Sequence, residues 1–225
     1  MLAVDGPSGS GKGTVGLILA KRLGWHFLDS GALYRVLGVA AERAGLDIED
    51  SQAMARLARS MTVTFEAGRD AVRVVLDGRD VGDVLRTEEA GRRASVLAAQ
   101  PAVRAALLDK QRAFRRPPGL VADGRDMGTT VFPDAVLKVF LTASPEARAE
   151  RRYKQLKDKG FGVTLPRLLD EIRERDARDA GRSVSPLRPA EDAYSLDTTS
   201  LSIPQVVERI ADLLRERGIG VGPAA

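Results

Sequence analysis

The sequence has no cysteine, no asparagine and a single histidine among its 225 residues. Without cysteine there are no disulfides, no thiolate metal sites and no cysteine nucleophile. The missing asparagine excludes the Asn-Lys-x-Asp guanine-reading motif and any N-glycosylation acceptor. The one histidine, His26, follows Trp25 in a short apolar run and reads as structural; no Ser-His-Asp set can be assembled around it. Aromatic residues make up only 4% of the chain, which argues against the stacking surfaces of a nucleic-acid binder. No apolar run is long enough to cross a membrane. The first residues lack the charged segment of a signal peptide. The expectation is a cytoplasmic protein with neither membrane nor nucleic acid as partner.

What is present is ordinary in bulk and unusual in detail. The chain is 44% hydrophobic and 29% charged, as for a globular protein with one sizeable core and subdomains. The net charge is +4. Basic and acidic residues are interleaved, which favours a basic pocket for phosphates over a nucleic-acid face.

The apolar run Leu2-Ala3-Val4 leads into Gly6-Pro7-Ser8-Gly9-Ser10-Gly11-Lys12-Gly13-Thr14. Val15, Leu17, Ile18, Leu19 and Leu23 then recur at roughly helical spacing. Strand, glycine-rich loop and helix in that order make a phosphate-binding loop for a nucleoside triphosphate. Loop amides and the helix N-terminus would wrap the phosphates. Lys12 would reach the β- and γ-phosphates, and a hydroxyl such as that of Thr14 would ligate Mg²⁺.

Further short strands alternate with helices: His26–Leu28, Leu120–Ala122 ending at Asp123, Ala135–Leu141 and Tyr194–Leu196. Helices are expected over Gly11–Leu23, Ser30 to about Ala44, from Pro145 with Ser144 as its cap, and Ile203–Arg217. This pattern implies an α/β fold with a parallel sheet covered on both faces. Thr62–Phe65 and Val72–Leu76 break the alternation and read as an antiparallel hairpin, with Ala67-Gly68-Arg69-Asp70 between them and a further turn at Asp77-Gly78. Gly218–Ala225 shows no periodicity and reads as a frayed tail.

Asp123 falls at the carboxyl edge of the sheet, where open α/β sheets bind ligands and where a carboxylate commonly holds Mg²⁺, directly or through water. Arg125 and Asp126 follow in the loop above. Asp29-Ser30-Gly31 opens a helix with Ser30 as a good cap, and Arg35 could grip an anionic acceptor by a bidentate contact. Arg175, Arg178, Asp179 and Arg182 are spaced as one helical stripe, and Arg148, Arg151 and Arg152 form a second cluster. Intrahelical salt bridges on a solvated hairpin would explain both. So would a highly charged ligand met by a mobile lid around the corner Lys157–Gly162.

Several segments together resemble the bacterial cytidylate kinases over nearly the whole chain, Leu2 to about Arg217. They are Asp5–Thr14 with its Gly-Lys-Gly-Thr ending, Trp25–Arg35, Ala122–Gly128, Lys159–Phe161, Glu174–Asp179 and Leu201–Ile203. The resemblance implies a P-loop kinase fold: a five-stranded parallel sheet flanked by helices, a small antiparallel β insertion and an Arg-rich helical lid. The implied division is a core of 1–56, 98–147 and 189–225, a monophosphate-binding insertion at 57–97 and a lid region at 148–188. It implies that residues 6–14 hold ATP with Mg²⁺ at Thr14 and Asp123. It also implies that Ser30, Arg35, Ser95, Arg104, Arg125, Asp126, Arg175, Asp179 and Arg182 face CMP or dCMP, with Arg104 and Asp126 nearest the base. Lys12, Arg151, Arg152 and Arg182 are the expected catalytic groups, and a monomer is the expected state. A kinase of the same fold with another acceptor, or a nucleotide-binding module without turnover, is the alternative.

Overall fold

The computed structural model describes residues 1–67, 72–158, 160 and 162–223. In chain order the elements begin with β1 (Leu2–Asp5), α1 (Lys12–Leu23), β2 (His26–Asp29), α2 (Ser30–Arg43) and α3 (Ser51–Ser60). They continue with β3 (Val63–Ala67), β4 (Val72–Leu76), β5 (Arg79–Asp80), α4 (Glu88–Leu97) and α5 (Pro101–Arg112). The last are β6 (Leu120–Gly124), β7 (Leu137–Thr142), α6 (Pro145–Lys157), α7 (Leu165–Ala180), β8 (Tyr194–Asp197) and α8 (Ile203–Arg215). Five strands form a parallel sheet in the order β2-β6-β1-β7-β8. The α/β fold expected from the alternating pattern is therefore present. Among the described residues no helix is long and apolar enough to cross a membrane.

The chain divides into two compact units, residues 1–27 with 116–225 and residues 28–115. In the first, the central strand β1 is buried at every position, which is why its sequence runs apolar without alternation. Leu2 and Val4 pack with Leu137, Val139 and Leu141 of β7, with Val15 and Leu19 of α1, and with Val206, Ile210 and Leu214 of α8. A Ser202–Gln205 capping box starts α8. The Ser144 side chain accepts the Ala147 N–H at 3.1 Å to start α6, with Pro145 in the first turn. The tail is less free than its composition suggests. Ile219 and Val221 pack on the core, and Arg22 Nε donates to the Gly222 carbonyl at 2.8 Å.

The second unit is helical with a small antiparallel sheet, β3-β4-β5. The expected hairpin is present as β3 and β4, and Arg79–Asp80 adds a third strand. Asp77 and Gly78 turn the chain between β4 and β5, both with positive φ, at 47° and 80°, as a tight hairpin turn requires. The turn at 68–71 lies outside the described residues, as do Lys159 and Phe161. Helices α3, α4 and α5 occupy stretches to which the sequence assigned no element. Asp50 and Thr87 cap the first two. Leu37, Met54, Leu76, Leu97 and Leu107 form this unit's core.

One cap differs from expectation. Asp29, not Ser30, is the N-cap of α2: its Oδ1 accepts the Ala32 N–H at 2.9 Å, and its backbone is extended. Ser30 is already helical and buried.

Candidate active site

The glycine-rich loop joins β1 to α1. Gly6 lies so close to β7 that a Cβ there would sit 2.2 Å from the Leu141 carbonyl oxygen, and its φ is +150°. Only glycine fits. Gly11 begins α1 in a left-handed conformation with no side-chain cap. The first amides of α1 are thus left to face an anion, which is the arrangement a phosphate needs. Lys12 Nζ donates to the Pro7 carbonyl at 3.1 Å and lies 3.9 Å from Asp123 Oδ1. It therefore stands over the loop, beside the carboxylate at the end of β6.

Asp123 is buried, 5% exposed. Its Oδ2 would lie 3.0 Å from a Cβ on Gly13, so the second glycine of Gly-Lys-Gly-Thr leaves room for the carboxylate at the loop. Thr14, next in sequence, is exposed. One buried carboxylate and one exposed hydroxyl beside a phosphate cradle suit Mg²⁺, which takes few protein ligands and several from water and substrate phosphates.

The loop after β6 carries Arg125 and Asp126. Asp126 is buried and is followed by a five-residue π-helical turn, Met127–Val131. Arg125 Nε donates to Asp179 Oδ2 at 2.8 Å, and Arg182 Nη2 donates to Asp179 Oδ1. Burial alone would raise the Asp179 carboxyl. The charges of Arg125 and Arg182, with Arg175 adding to them, outweigh it and hold the group below its ordinary range. Three expected residues are thus joined, Arg125, Asp179 and Arg182, with Arg175 acting on the same carboxylate. Arg178 parts from the expected stripe: it is exposed and lies 3.7 Å from Glu174. Arg182 itself lies beyond the end of α7.

The α6 arginines divide. Arg148 is buried and its guanidinium goes to protein partners. Nη1 donates to Asp176 Oδ1 at 3.0 Å and to the Ser8 carbonyl at 3.1 Å, and Nε donates to the Ala143 carbonyl at 2.9 Å. This differs from the ligand-facing cluster read from spacing, because Asp176, half-buried on the next helix, takes up the charge. Arg151 donates to the Thr198 hydroxyl at 3.2 Å and to the Thr198 carbonyl. Arg152 donates to Gln155 Oε1 at 2.9 Å. His26 Nε2 lies 3.0 Å from the Pro117 carbonyl oxygen.

In the second unit, Arg35 Nη1 donates to Asp29 Oδ2 at 3.3 Å. Arg104 is 9% exposed, and its Nη1 donates to the Tyr34 hydroxyl at 3.4 Å and the Ala98 carbonyl at 3.3 Å. The Ser95 hydroxyl is buried with no hydrogen-bond partner among the described residues. A buried hydroxyl left so is costly unless a ligand or water completes it.

Two residues of this region escaped the sequence reading. Asp5 ends β1 and accepts the backbone N–H groups of Met127 and Gly128, both at 2.8 Å. Burial pushes its carboxyl up to about 7 against those two hydrogen bonds, and the charges of Asp126 and Asp123 push the same way. Thr198 is buried, and its hydroxyl donates between the carbonyl oxygens of Ser10, at 3.2 Å, and Thr142, at 2.9 Å. An acid closing an all-apolar strand was the available signal for Asp5; Thr198 had none.

The chain is similar to known proteins over nearly its whole length. A cytidylate kinase of Pseudomonas paraeruginosa is 59% identical over 220 residues, 97% of this chain and 96% of that one. A cytidylate kinase of Pseudomonas aeruginosa is 60% identical over 212 residues, 93% of each. Among solved structures, an uncharacterized protein from Eubacterium ventriosum shares the fold at a TM-score of 0.52 and 11% identity, covering 96% of this chain and 98% of that one. The family description "Cytidylate kinase" matches residues 2–216. With the phosphate loop, the acid at the end of β6 and the arginine-held Asp179 in place, the chain belongs to the cytidylate kinase family.

Proposed function

We propose that the protein is a (d)CMP kinase in which the residues described above hold donor and acceptor for direct transfer. It moves the γ-phosphoryl group of ATP to CMP or dCMP, giving ADP and CDP or dCDP. The observation that carries this is 59% identity to a cytidylate kinase across 97% of the chain.

Residues 6–14 would bind the ATP phosphates through loop amides, with Lys12 on the β- and γ-phosphates. Thr14 and Asp123, the latter through water, would hold Mg²⁺, which neutralises phosphate charge when bound. Ser30, Arg35, Ser95, Arg104, Arg125, Asp126, Arg175, Asp179 and Arg182 would bind CMP. The arginines answer its phosphate. The orphaned Ser95 hydroxyl gains a partner. Asp126 accepts from the cytosine N4 amino group, where uracil would present a repelling oxygen.

A phosphate oxygen of CMP is already anionic near neutral pH, so no strong general base is needed. Catalysis is positioning plus charge stabilisation in line. Arg151, Arg152 and Arg182 are assigned to the transferring group. Residues 148–188 form the lid and 57–97 the monophosphate-binding insertion, on a core of 1–56, 98–147 and 189–225. Lid closure would exclude the water that otherwise hydrolyses ATP. The enzyme is assigned to the cytoplasm as a monomer, since a single chain carries every residue named.

The test is ADP release from Mg·ATP with CMP, dCMP, UMP, AMP or no acceptor. Release with CMP and dCMP alone supports the reading. Fast release with AMP or UMP instead overturns the base assignment. With Asp126→Ala, CMP use should fall far more than ATP use; a proportional loss of both would sink the role given to Asp126.

A further inference from the structure

Asp5 is assigned to neither the donor nor the acceptor, yet it grips the loop that carries Asp126. Its Oδ1 accepts from Met127 N and its Oδ2 from Gly128 N, each at 2.8 Å. These amides belong to the two residues immediately after Asp126. The same π-helical turn closes back on Asp126, whose carbonyl accepts from Thr130 N at 2.9 Å and Val131 N at 3.1 Å. The backbone on the C-terminal side of Asp126 is therefore fixed twice, once by its own turn and once by Asp5.

The loop is also wedged from the other side. A Cβ on Gly128 would lie 3.1 Å from Lys138 Cδ and 3.4 Å from Asp5 Oδ2. Gly128 thus fills a slot between the Lys138 stem and the Asp5 carboxylate. Lys138 is itself anchored by Asp192 Oδ1 at 2.9 Å.

The choice of residue is informative. A buried acid facing Asp123 and Asp126 is unfavourable, and burial has raised its pKa accordingly. A tie serving stability alone could use a neutral acceptor. Here, however, each amide meets its own oxygen at 2.8 Å, and among side chains only a carboxyl group offers two oxygens to share between them. Asparagine would turn an NH₂ group against one of the amides.

We propose that Asp5 is a positioning residue for acceptor recognition: by clamping the Met127 and Gly128 amides it sets the place from which Asp126 reads the base. Because Asp5 directly precedes Gly6, one residue holds the acceptor-reading loop to the strand that launches the donor loop. The proposal rests on the assignment of Asp126 to cytosine.

The test uses the full chain and three variants, Asp5→Asn, Gly128→Ala and Asp126→Ala. Steady-state constants are measured for CMP and UMP at saturating ATP, and for ATP at saturating CMP. Asp5→Asn should lower kcat/KM for CMP by about 10- to 100-fold, the range expected from losing one charge-assisted hydrogen bond. The preference for CMP over UMP should shrink by about tenfold, and KM for ATP should move less than about threefold. Gly128→Ala, which crowds the same loop against the Lys138 stem and the Asp5 carboxylate while leaving Asp5 itself in place, should reproduce the pattern. It decides the matter if Asp5→Asn fails to fold. If Asp126→Ala erodes the CMP preference while the other two variants keep it, Asp5 is a structural tie only and the proposal is overturned. If Asp126→Ala also leaves the preference intact, the reading of Asp126 fails and takes the proposal with it.

Discussion

Asp5 at the end of β1 and Asp179 near the end of α7 meet the same demand in opposite ways. Both are almost fully buried, at 5% and 1% exposure. Burial works to raise both carboxyl groups. Asp5 is answered by two backbone amides and opposed by the neighbouring acids Asp123 and Asp126, and it ends at about 7. Asp179 is answered by Arg125, Arg182 and Arg175, and it ends below its ordinary value. At Asp5 two backbone dipoles do not offset burial and the neighbouring acids, whereas at Asp179 full opposite charges do and keep the group ionised. The two regions accordingly do different work. Around Asp5 the carboxylate fixes backbone. Around Asp179 it gathers guanidinium groups that would otherwise repel one another.

Isosteric replacement should separate the two most widely. Asp179→Asn strips the charge from a site holding Arg182, 6% exposed, and Arg125, 16% exposed. Breaking such a pair costs about 3–5 kcal/mol, and kcat/KM for CMP should fall by at least about 100-fold. Asp5→Asn loses a hydrogen bond but also discharges a buried acid, so at pH 8 it should cost under about 2 kcal/mol. Urea unfolding of both variants checks this, and equal losses would break the contrast.

The pH dependences should have opposite signs. Asp179 is depressed, so its contribution is present above the ordinary value of 3.8 and is lost as pH falls through its lower folded value. Asp5 is raised, so its contribution is present below 3.8 and is lost as pH rises toward about 7. Across that whole window the loss is about 4 kcal/mol. Between pH 5 and 8, wild type should therefore lose stability relative to Asp5→Asn, while its advantage over Asp179→Asn stays level. Urea midpoints at each pH read both; parallel curves for wild type and Asp5→Asn would place Asp5 near an ordinary acid.

The smallest effect belongs to Arg178, beside Asp179 in sequence but exposed and only bridged to Glu174. Arg178→Ala should change stability by less than about 0.5 kcal/mol and leave CMP constants within about twofold. A larger loss would mean that the arginine cluster extends further than its geometry indicates.

Much of this was legible in the sequence wherever the signal was local. The loop from Gly6 to Thr14, the apolar strands beside it and the Ser144-Pro145 helix start each need only a few consecutive residues. Asp29-Ser30 was misjudged because two capping residues stand side by side, and only backbone conformation tells which lies outside the helix. Helices α3 to α5 turn largely alanine inward, as Ala53, Ala55 and Ala58 of α3 do, and alanine marks a buried face only weakly in a sequence. The arginine stripes were visible as spacing, but spacing does not say which members meet a partner. Arg148 finds Ser8 at a separation of 140 residues, and Asp5 finds Met127 at 122. No local pattern encodes either pair.

Thr198 carries a consequence for how the chain is made. The glycine-rich loop is synthesised well before its partner, since the Ser10 carbonyl is met by a hydroxyl 188 residues later in the sequence. The neighbours of β1 are equally late, since β6 begins at Leu120 and β7 at Leu137. Pairings this distant form slowly and leave apolar strands exposed while they wait. A nascent chain stopped before β8 would have every residue of the phosphate loop and lack the Thr198 tie to Ser10. Nucleotide binding would then emerge only after β8 has been made, so the phosphate loop would become functional long after its own residues are synthesised.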